Sequence, residues 1–193
     1  MTPFDEYLLR VDDYFKKYGV EFFFIGSSLL HLIRSGYILQ TSTFDRELNI
    51  GVRAEDVTNK FNKQLKKDNE YFRNDTNDEY ENYFTFFGPQ LKERCWDADY
   101  FTLMPKFWKK KGIRYEHGGS NLNLVWPEYQ LKKFGKIKYL GRTFNTPANP
   151  EKWLSHYFGE DWRTPKATWN WAVNANNLVC TNDLDNYKLP KLC

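Results

Sequence analysis

The sequence predicts an α/β (α+β) protein in which helices flank a mixed β-sheet. Helix-like and strand-like segments alternate over residues 1–67, and mostly strand-like segments follow them. This order is typical of folds that layer helices on a sheet. Aromatic residues make up 19% of the chain, and they supply the apolar burial that a folded core requires. The length of 193 residues is that of a single domain, which we expect over residues 1–193.

Composition excludes several classes of protein. The formal net charge is only +3, which does not by itself indicate a nucleic-acid partner. No apolar run approaches the roughly 20 residues that cross a bilayer, so no membrane span is expected. The acidic, amphipathic N-terminal segment is unlike a signal peptide. Three cysteines are too few and too scattered for a disulfide framework or a zinc site. We therefore expect a cytoplasmic protein.

Local signals predict the first three elements. Thr2 is a good N-cap and Pro3 suits the first helical position, so a helix is predicted from there to Gly19. The apolar run over residues 20–25 (VEFFFI) has the length and composition of a buried strand. Residues 29–35 (LLHLIRS) predict a short helix that ends at a glycine.

The middle and end of the chain predict further strands and two more helices. Apolar and polar residues alternate over residues 47–52, which predicts a strand with one polar face. Residues 54–67 predict an amphipathic helix, 68–82 a loop or a ragged strand, and 116–119 a loop. Further strands are predicted at 83–87, 94–103 and 121–125, a hairpin at 134–144, a last helix at about 150–158 and an Asn-rich tail after residue 174.

Three groups of polar residues could meet at one site. They are the turn Gly26-Ser27, the alternate strand positions Asp45, Glu47 and Asn49, and the later pair Asp97 and Asp99. Alternate positions on a strand share one face. Clustered carboxylates repel one another unless a cation neutralises them, and Mg²⁺ (or Mn²⁺) prefers such oxygen ligands. A Gly-Ser turn at a helix start offers N–H groups to a phosphate. Together these features predict a nucleotide phosphate held between a helix and a metal.

The quoted residues resemble the LicD/fukutin family, whose members have the nucleotidyltransferase fold. Residues 26–52 (GSSLLHLIRSGYILQTSTFDRELNIGV) are similar to a Gly-Thr-Leu-Leu turn, a helix with an arginine, and then Asp-x-Asp-h-Asp-h-Gly. The C-terminal half resembles the fukutin-type ending. Its matching residues are Tyr157-Phe158-Gly159, Trp162-Arg163-Thr164-Pro165 and Thr168-Trp169-Asn170-Trp171. The resemblance covers about residues 20–172, which is the core that it implies for the domain.

The resemblance implies a nucleotidyltransferase-like mixed sheet and a metal-dependent transferase. Such an enzyme would move a phosphorylated alcohol, of the choline phosphate or ribitol phosphate type, from a CDP-linked donor to an acceptor hydroxyl on a glycan. The implied catalytic residues are Asp45, Glu47 and Asp99. The implied metal ligands are Asp45, Glu47, Asn49 and Asp99. The implied nucleotide-binding residues are Gly26, Ser27 and Arg34.

Two departures from the family pattern keep alternatives open. Glu47 stands where the family has Asp, and both ligate magnesium through oxygen. Asn49 stands where the family has an acid, which leaves a neutral oxygen ligand. The acids of this strand could also be the solvent face of an edge strand. Another alternative is a nucleotidyltransferase-fold enzyme that modifies nucleic acid or protein, and a third is an inactive nucleotide-binding module.

The C-terminal motif predicts packing rather than chemistry. Gly159 can end the last helix in a left-handed conformation, and Pro165 keeps the residue before it out of the helical region. The chain can then fold back, and we expect Trp162 to insert beneath the nucleotide turn as a wall of the site.

Overall fold

The computed structural model shows an α+β fold with a mixed sheet, as the sequence predicts. It describes residues 1–38, 47–68, 73–74, 84–87, 102–111, 114–118, 122–166, 168–169 and 174–180. None of the helices in these segments is long and apolar enough to cross a membrane.

The described elements, in chain order, form five α-helices and ten strands. They are α1 (Pro3–Lys17), β1 (Phe22–Phe24), α2 (Gly26–Ser35), β2 (Glu47–Arg53), a 3₁₀ turn (Ala54–Asp56), α3 (Asn59–Asp68), β3 (Arg73–Asn74), β4 (Phe84–Phe87), β5 (Thr102–Lys111), β6 (Arg114–Gly118), β7 (Leu122–Pro127), α4 (Tyr129–Lys132), β8 (Gly135–Tyr139), β9 (Arg142–Thr146), α5 (Pro150–Phe158) and β10 (Leu178–Cys180).

The strands join into one sheet with the order β10-β7-β6-β5-β2-β1-β9-β8. The pairs β1–β9 and β2–β5 are parallel, and the other pairs in this order are antiparallel. The strand β4 also pairs with the start of β5, and β3 pairs with β4. The long strand β5 therefore joins two parts of the sheet, because its first seven residues pair with β2 and its last three pair with β6.

The sheet is buried on both faces at β1. Successive residues of a strand point to opposite faces, so Phe22 and Phe23 face different layers. Phe22 meets Phe15 of α1 with ring centroids 5.3 Å apart, whereas the ring centroid of Phe23 lies 6.2 Å from that of Trp153 in α5. Both phenylalanines are at most 5% exposed. The continuous apolar run at residues 20–25 is therefore explained by helices on each face.

Local capping signals placed the two best-predicted helices. Thr2 caps α1 through its side-chain oxygen, and Pro3 occupies the first turn, as predicted. In α5, the side chain of Asn149 accepts the Lys152 N–H, and the helix ends at Gly159. The predicted hairpin is also confirmed as β8 and β9.

Several predicted boundaries were wrong, among them that of the strand predicted to end at residue 103, because β5 continues to Lys111. The helix predicted at 54–67 is a 3₁₀ turn followed by a break, and α3 begins only at Asn59, where the hydroxyl of Thr58 accepts the Phe61 N–H. The loop predicted at 116–119 contains the end of β6, which pairs with β7 through Gly118. The helix predicted at 29–35 begins three residues earlier, at Gly26. The Thr58 cap accompanies the later start of α3, and the pairing of β6 with β7 explains the strand at 116–118.

Candidate functional site

The predicted turn lies beside the start of β2. In the antiparallel pair of β1 and β2, Phe24 stands opposite Ile50, so the residues after Phe24 continue alongside the residues before Ile50. The Ile25 N–H donates to the Asn49 carbonyl oxygen at 3.2 Å, and α2 begins at the next residue. The structure thus brings Gly26 and Ser27 to the strand end that carries Glu47 and Asn49.

Asn49 makes the closest contacts with this turn. Its backbone N–H donates to Ser28 Oγ at 2.9 Å, and its side-chain Nδ2 donates to Ser27 Oγ at 3.0 Å. Asn49 is only 8% exposed, and Ser28 is fully buried. The backbone and side-chain amides of Asn49 therefore hold two consecutive hydroxyls of the first turn of α2.

The backbone conformation at Gly26 requires a glycine. Its φ of +52° lies in the left-handed region, which only glycine occupies without strain. A Cβ atom at Gly26 would make ordinary contact, at 3.4 Å, with Cβ and Cγ of Asn49, so space alone would not exclude a side chain. The glycine thus lets the chain turn sharply from β1 into α2 while staying in contact with β2.

A second glycine shapes the neighbouring part of β2. A Cβ atom built on Gly51 would lie 2.4 Å from Cζ of Phe23, because the Phe23 ring lies across this residue. No side chain fits there without displacing the ring. The glycine that ends the Asp-x-Asp-h-Asp-h-Gly pattern is therefore a packing requirement of this sheet.

The N-terminus of α2 is left without a side-chain cap. The N-cap residue is Ile25, whose apolar side chain makes no capping hydrogen bond. The first turn of α2 also contains no acid. Helix N-termini carry unsatisfied N–H groups and a partial positive charge, so this end of α2 favours an anion.

The predicted acids are placed only in part. Glu47 is the first residue of β2 and stands opposite Thr102 in the parallel pair of β2 and β5. Glu47 and Asn49 occupy alternate positions of the strand, as predicted. Asp45, Asp97 and Asp99 lie outside the described residues.

The metal-binding prediction is likewise not decided by the described residues. Among them, no group of three or more His, Cys, Asp or Glu residues could hold a metal ion. The carboxylates on which the prediction depends, those of Asp45, Glu47 and Asp99, are not among the described side chains. The oxygen atoms of the predicted ligand set are of the type that Mg²⁺ prefers, and this set stays a prediction.

Arg34 contacts the C-terminal segment rather than the turn. It lies in the last turn of α2, eight residues after Gly26, which is about 12 Å along a helix axis. Its Nη2 donates to the Trp162 carbonyl oxygen, and its Nε is buried with no hydrogen-bond partner in the described structure. Burial lowers the pKa of Arg34 from its ordinary value. Sequence reasoning did not find this contact, since 128 residues separate its partners.

Trp162 of the C-terminal motif is buried, as predicted. Trp162 is 5% exposed, and the guanidinium of Arg163 lies 4.2 Å from the centroid of its ring. In the same region Trp153 stacks on Trp126, with ring centroids 3.4 Å apart. Burial of Trp162 is therefore confirmed, but its carbonyl contacts the Arg34 end of α2, two helical turns away from Gly26.

Ser28 is a contributor that the sequence reasoning overlooked. Ser28 is fully buried, and its hydroxyl accepts the backbone N–H of Asn49. A second serine directly before the apolar residues that begin with Leu29 was the available signal. It becomes informative only once β2 is known to lie against this turn.

Comparisons of the chain with models of known protein families and with curated proteins found no match. The family resemblance remains an expectation drawn from the sequence motifs. The contacts between the Gly26-Ser27 turn and β2 are therefore the structural basis for any functional proposal.

Proposed function

We propose that this protein is a metal-dependent transferase that moves a phosphorylated alcohol from a CDP-linked donor to an acceptor hydroxyl, on a glycan. One observation carries the proposal. The uncapped N-terminus of α2 lies against the strand end that bears Glu47 and Asn49. An anion-favouring helix end and a strand with candidate metal ligands are the two parts that a bound nucleotide phosphate needs.

Gly26 and Ser27 are the proposed phosphate-binding residues. The left-handed Gly26 lets the backbone approach a ligand closely, and the first N–H groups of α2 point along the helix axis away from the helix. The helix dipole adds a favourable interaction with negative charge. Arg34 is engaged with the Trp162 carbonyl, so we assign it the task of holding α2 against the C-terminal segment.

The proposed metal ligands are Asp45, Glu47, Asn49 and Asp99. Chain connectivity supports this grouping, since Asp45 precedes Glu47 by two residues and Asp99 precedes Thr102 by three. Glu47 and Thr102 are register partners, and three residues of chain span at most about 10 Å. Bound Mg²⁺ or Mn²⁺ would supply positive charge that neutralises the phosphates and the developing charge on the leaving group.

The proposed reaction is a displacement at phosphorus. The oxygen of the acceptor hydroxyl forms a bond to the phosphorus that carries the alcohol, and the bond from this phosphorus to the oxygen of CMP breaks. Asp99 accepts the proton of the acceptor hydroxyl, and CMP leaves. Positioning and electrostatic stabilisation contribute most in this type of chemistry, which agrees with a site built from a rigid strand and a helix N-terminus.

A second candidate is a nucleotide-binding module without turnover. Asn49 favours it, because this neutral side chain stands in place of an acid and donates its amide hydrogen to Ser27. Loss of one carboxylate reduces the negative charge that attracts a metal. Both candidates share the same nucleotide site, and they differ only in chemistry.

Donor analogues with and without metal test these proposals. CDP-ribitol and CDP-choline are added with Mg²⁺ or with EDTA, while the thermal midpoint and CMP release are followed. A ligand at 100 times its Kd adds about 2.7 kcal/mol to stability, which a melting curve resolves. Metal-dependent stabilisation with CMP release in the presence of a glycan acceptor supports the transferase. Stabilisation without CMP release for any acceptor supports the binding module, and no stabilisation by either donor rejects both.

A further inference from the structure

The side chain at position 49 determines whether the Ser27 hydroxyl accepts a hydrogen bond from it or donates one to it. A hydroxyl has one proton to donate and two lone pairs that accept. The side-chain Nδ2 of Asn49 carries only donors, so Ser27 Oγ must accept in their 3.0 Å hydrogen bond. The proton of Ser27 is therefore not used in this contact. A carboxylate at position 49 has only acceptors, and it would take that proton.

The half-buried Ser27 stands at the second position of α2, where the proposed phosphate binds. Phosphate oxygens accept hydrogen bonds, so a serine with an unused proton can donate to them. A serine that already donates to a carboxylate cannot, and the carboxylate adds a like charge beside the phosphate. The amide of Asn49 thus suits direct contact between the turn and an anion.

We propose that Asn49 is a positioning residue that keeps Ser27 as a hydrogen-bond donor to the nucleotide phosphate. Compared with a carboxylate at position 49, Asn49 makes nucleotide binding depend less on a metal ion. This inference rests on the nucleotide-binding part of the proposed function, and it holds for either candidate. Asn49 acts through Ser27 and Ser28, both of which it holds by hydrogen bonds. With a carboxylate at position 49, a metal ion must neutralise the added charge before a phosphate can approach.

The test compares CDP binding by the parent and by Asn49→Asp, using calorimetry in Mg²⁺ and in EDTA. Inorganic pyrophosphate serves as a second probe that lacks the nucleoside. In EDTA, we expect Asn49→Asp to bind both probes at least about tenfold more weakly than the parent, as for loss of one charge-assisted hydrogen bond. Mg²⁺ should restore most of this loss. Asn59→Asp, the same charge change at an exposed residue beyond the other end of β2, should leave binding unchanged.

Removing Ser27 separates this role from a merely structural one. In EDTA, Ser27→Ala should weaken CDP binding about tenfold in the parent but less than twofold in the Asn49→Asp background, where the serine proton is already used. Equal losses in both backgrounds overturn the proposal, as does an equal effect of Mg²⁺ on the parent and Asn49→Asp. If Asn49→Asp does not fold, Ser27→Ala alone decides, since unchanged CDP affinity in EDTA overturns the role. Failure of the parent to bind CDP or pyrophosphate in either condition instead rejects the proposed function.

Discussion

The helices α1 and α2 begin in different ways, although both pack on the same sheet. At the start of α1, the Thr2 hydroxyl accepts the Asp5 N–H, and the Asp5 carboxylate accepts the Thr2 N–H at 2.7 Å. At the start of α2, Ile25 offers no side-chain cap, and the first turn has no acid. The first helix end is satisfied by its own residues, whereas the N-cap residue of the second supplies no hydrogen-bond acceptor from its side chain.

Each end is also joined differently to the rest of the fold. Asp5 accepts a hydrogen bond from the Tyr139 hydroxyl at 2.9 Å, so the cap of α1 also attaches the helix to β8. Burial, and then the bond to Asp5, raise the pKa of Tyr139 to about 12. The polar groups at the start of α2 instead contact Asn49, which belongs to the strand with the candidate ligands. The first cluster therefore has a structural role, and for the second we propose a ligand-binding role.

Replacing one acid near each helix start, Asp5 in α1 and Glu47 on the strand beside α2, gives the largest expected contrast. Under the proposed function, Glu47→Ala should abolish CMP release while the thermal midpoint stays near that of the parent, because the proposal places Glu47 among carboxylates that repel one another. Asp5→Ala should do the opposite, lowering the stability by about 1–3 kcal/mol through loss of the cap and of the Tyr139 partner. Thermal melts and CMP release are measured on both variants. An unfolded Glu47→Ala protein would show that this acid is structural, and full activity would remove it from the mechanism.

The next contrast concerns the buried ring of Trp162, whose backbone carbonyl contacts the far end of α2. Trp162→Ala should cost about 3–5 kcal/mol, as for other buried aromatic residues, and should lower activity through loss of folded protein. Urea denaturation measures the change in the free energy of unfolding. Trp169→Ala, at a partly buried residue of the same motif, is the comparison and should cost less. A Trp162→Ala variant that melts like the parent but no longer binds CDP would instead identify a ligand-stacking residue.

A smaller contrast comes from the two hydroxyl residues at the helix starts. Thr2→Ala should destabilise the protein by about 1 kcal/mol, because the Asp5 N–H loses its acceptor, and should leave CDP affinity unchanged. Ser27→Ala should weaken CDP binding, and it should cost about 1 kcal/mol of stability because the Asn49 side-chain amide loses its Ser27 acceptor. Chemical denaturation and calorimetry on the two variants measure both properties. The comparison between α1 and α2 is wrong if the effects are exchanged.

The smallest predicted effect is a pH dependence of the α1 cap. Burial alone raises the pKa of Asp5, but hydrogen bonds from Thr2 and Tyr139 outweigh it and hold this pKa below its ordinary value. A carboxyl with a lowered folded-state pKa stabilises above its unfolded pKa, and this contribution is lost as the pH falls through the folded pKa. Unfolding free energies should therefore fall less between pH 5 and pH 2 (about the range in which Asp protonates) in Asp5→Asn than in the parent.

The exposed Glu6→Gln variant provides the control for that measurement, because it removes an acid from the same helical turn without touching the cap. Its pH dependence should follow that of the parent more closely than Asp5→Asn does. Identical curves for all three proteins would show that the Thr2 and Tyr139 contacts do not stabilise the ionised carboxylate.

The predictions from sequence succeeded where the signal and the structure are both local. The boundaries of α1 and α5 follow from a cap residue, a proline and a glycine within one helical segment. The sequence also predicted the Gly26-Ser27 turn and the alternation of Glu47 and Asn49 on a strand. It did not predict the break before Asn59, since a helical apolar pattern continues across it.

Taken by itself, the sequence determined the ends of α1 and α5, the alternation of β2 and the aromatic character of the core, because these depend on neighbours a few residues apart. The tertiary structure decided what each polar group contacts. Only the pairing of β1 with β2 brings Asn49 within hydrogen-bonding distance of Ser27 and Ser28. Only the return of the chain after α5 brings the Trp162 carbonyl to Arg34. Hydrogen bonds between residues 21 and 128 positions apart depend on the sheet register and on helix packing, which no local pattern encodes.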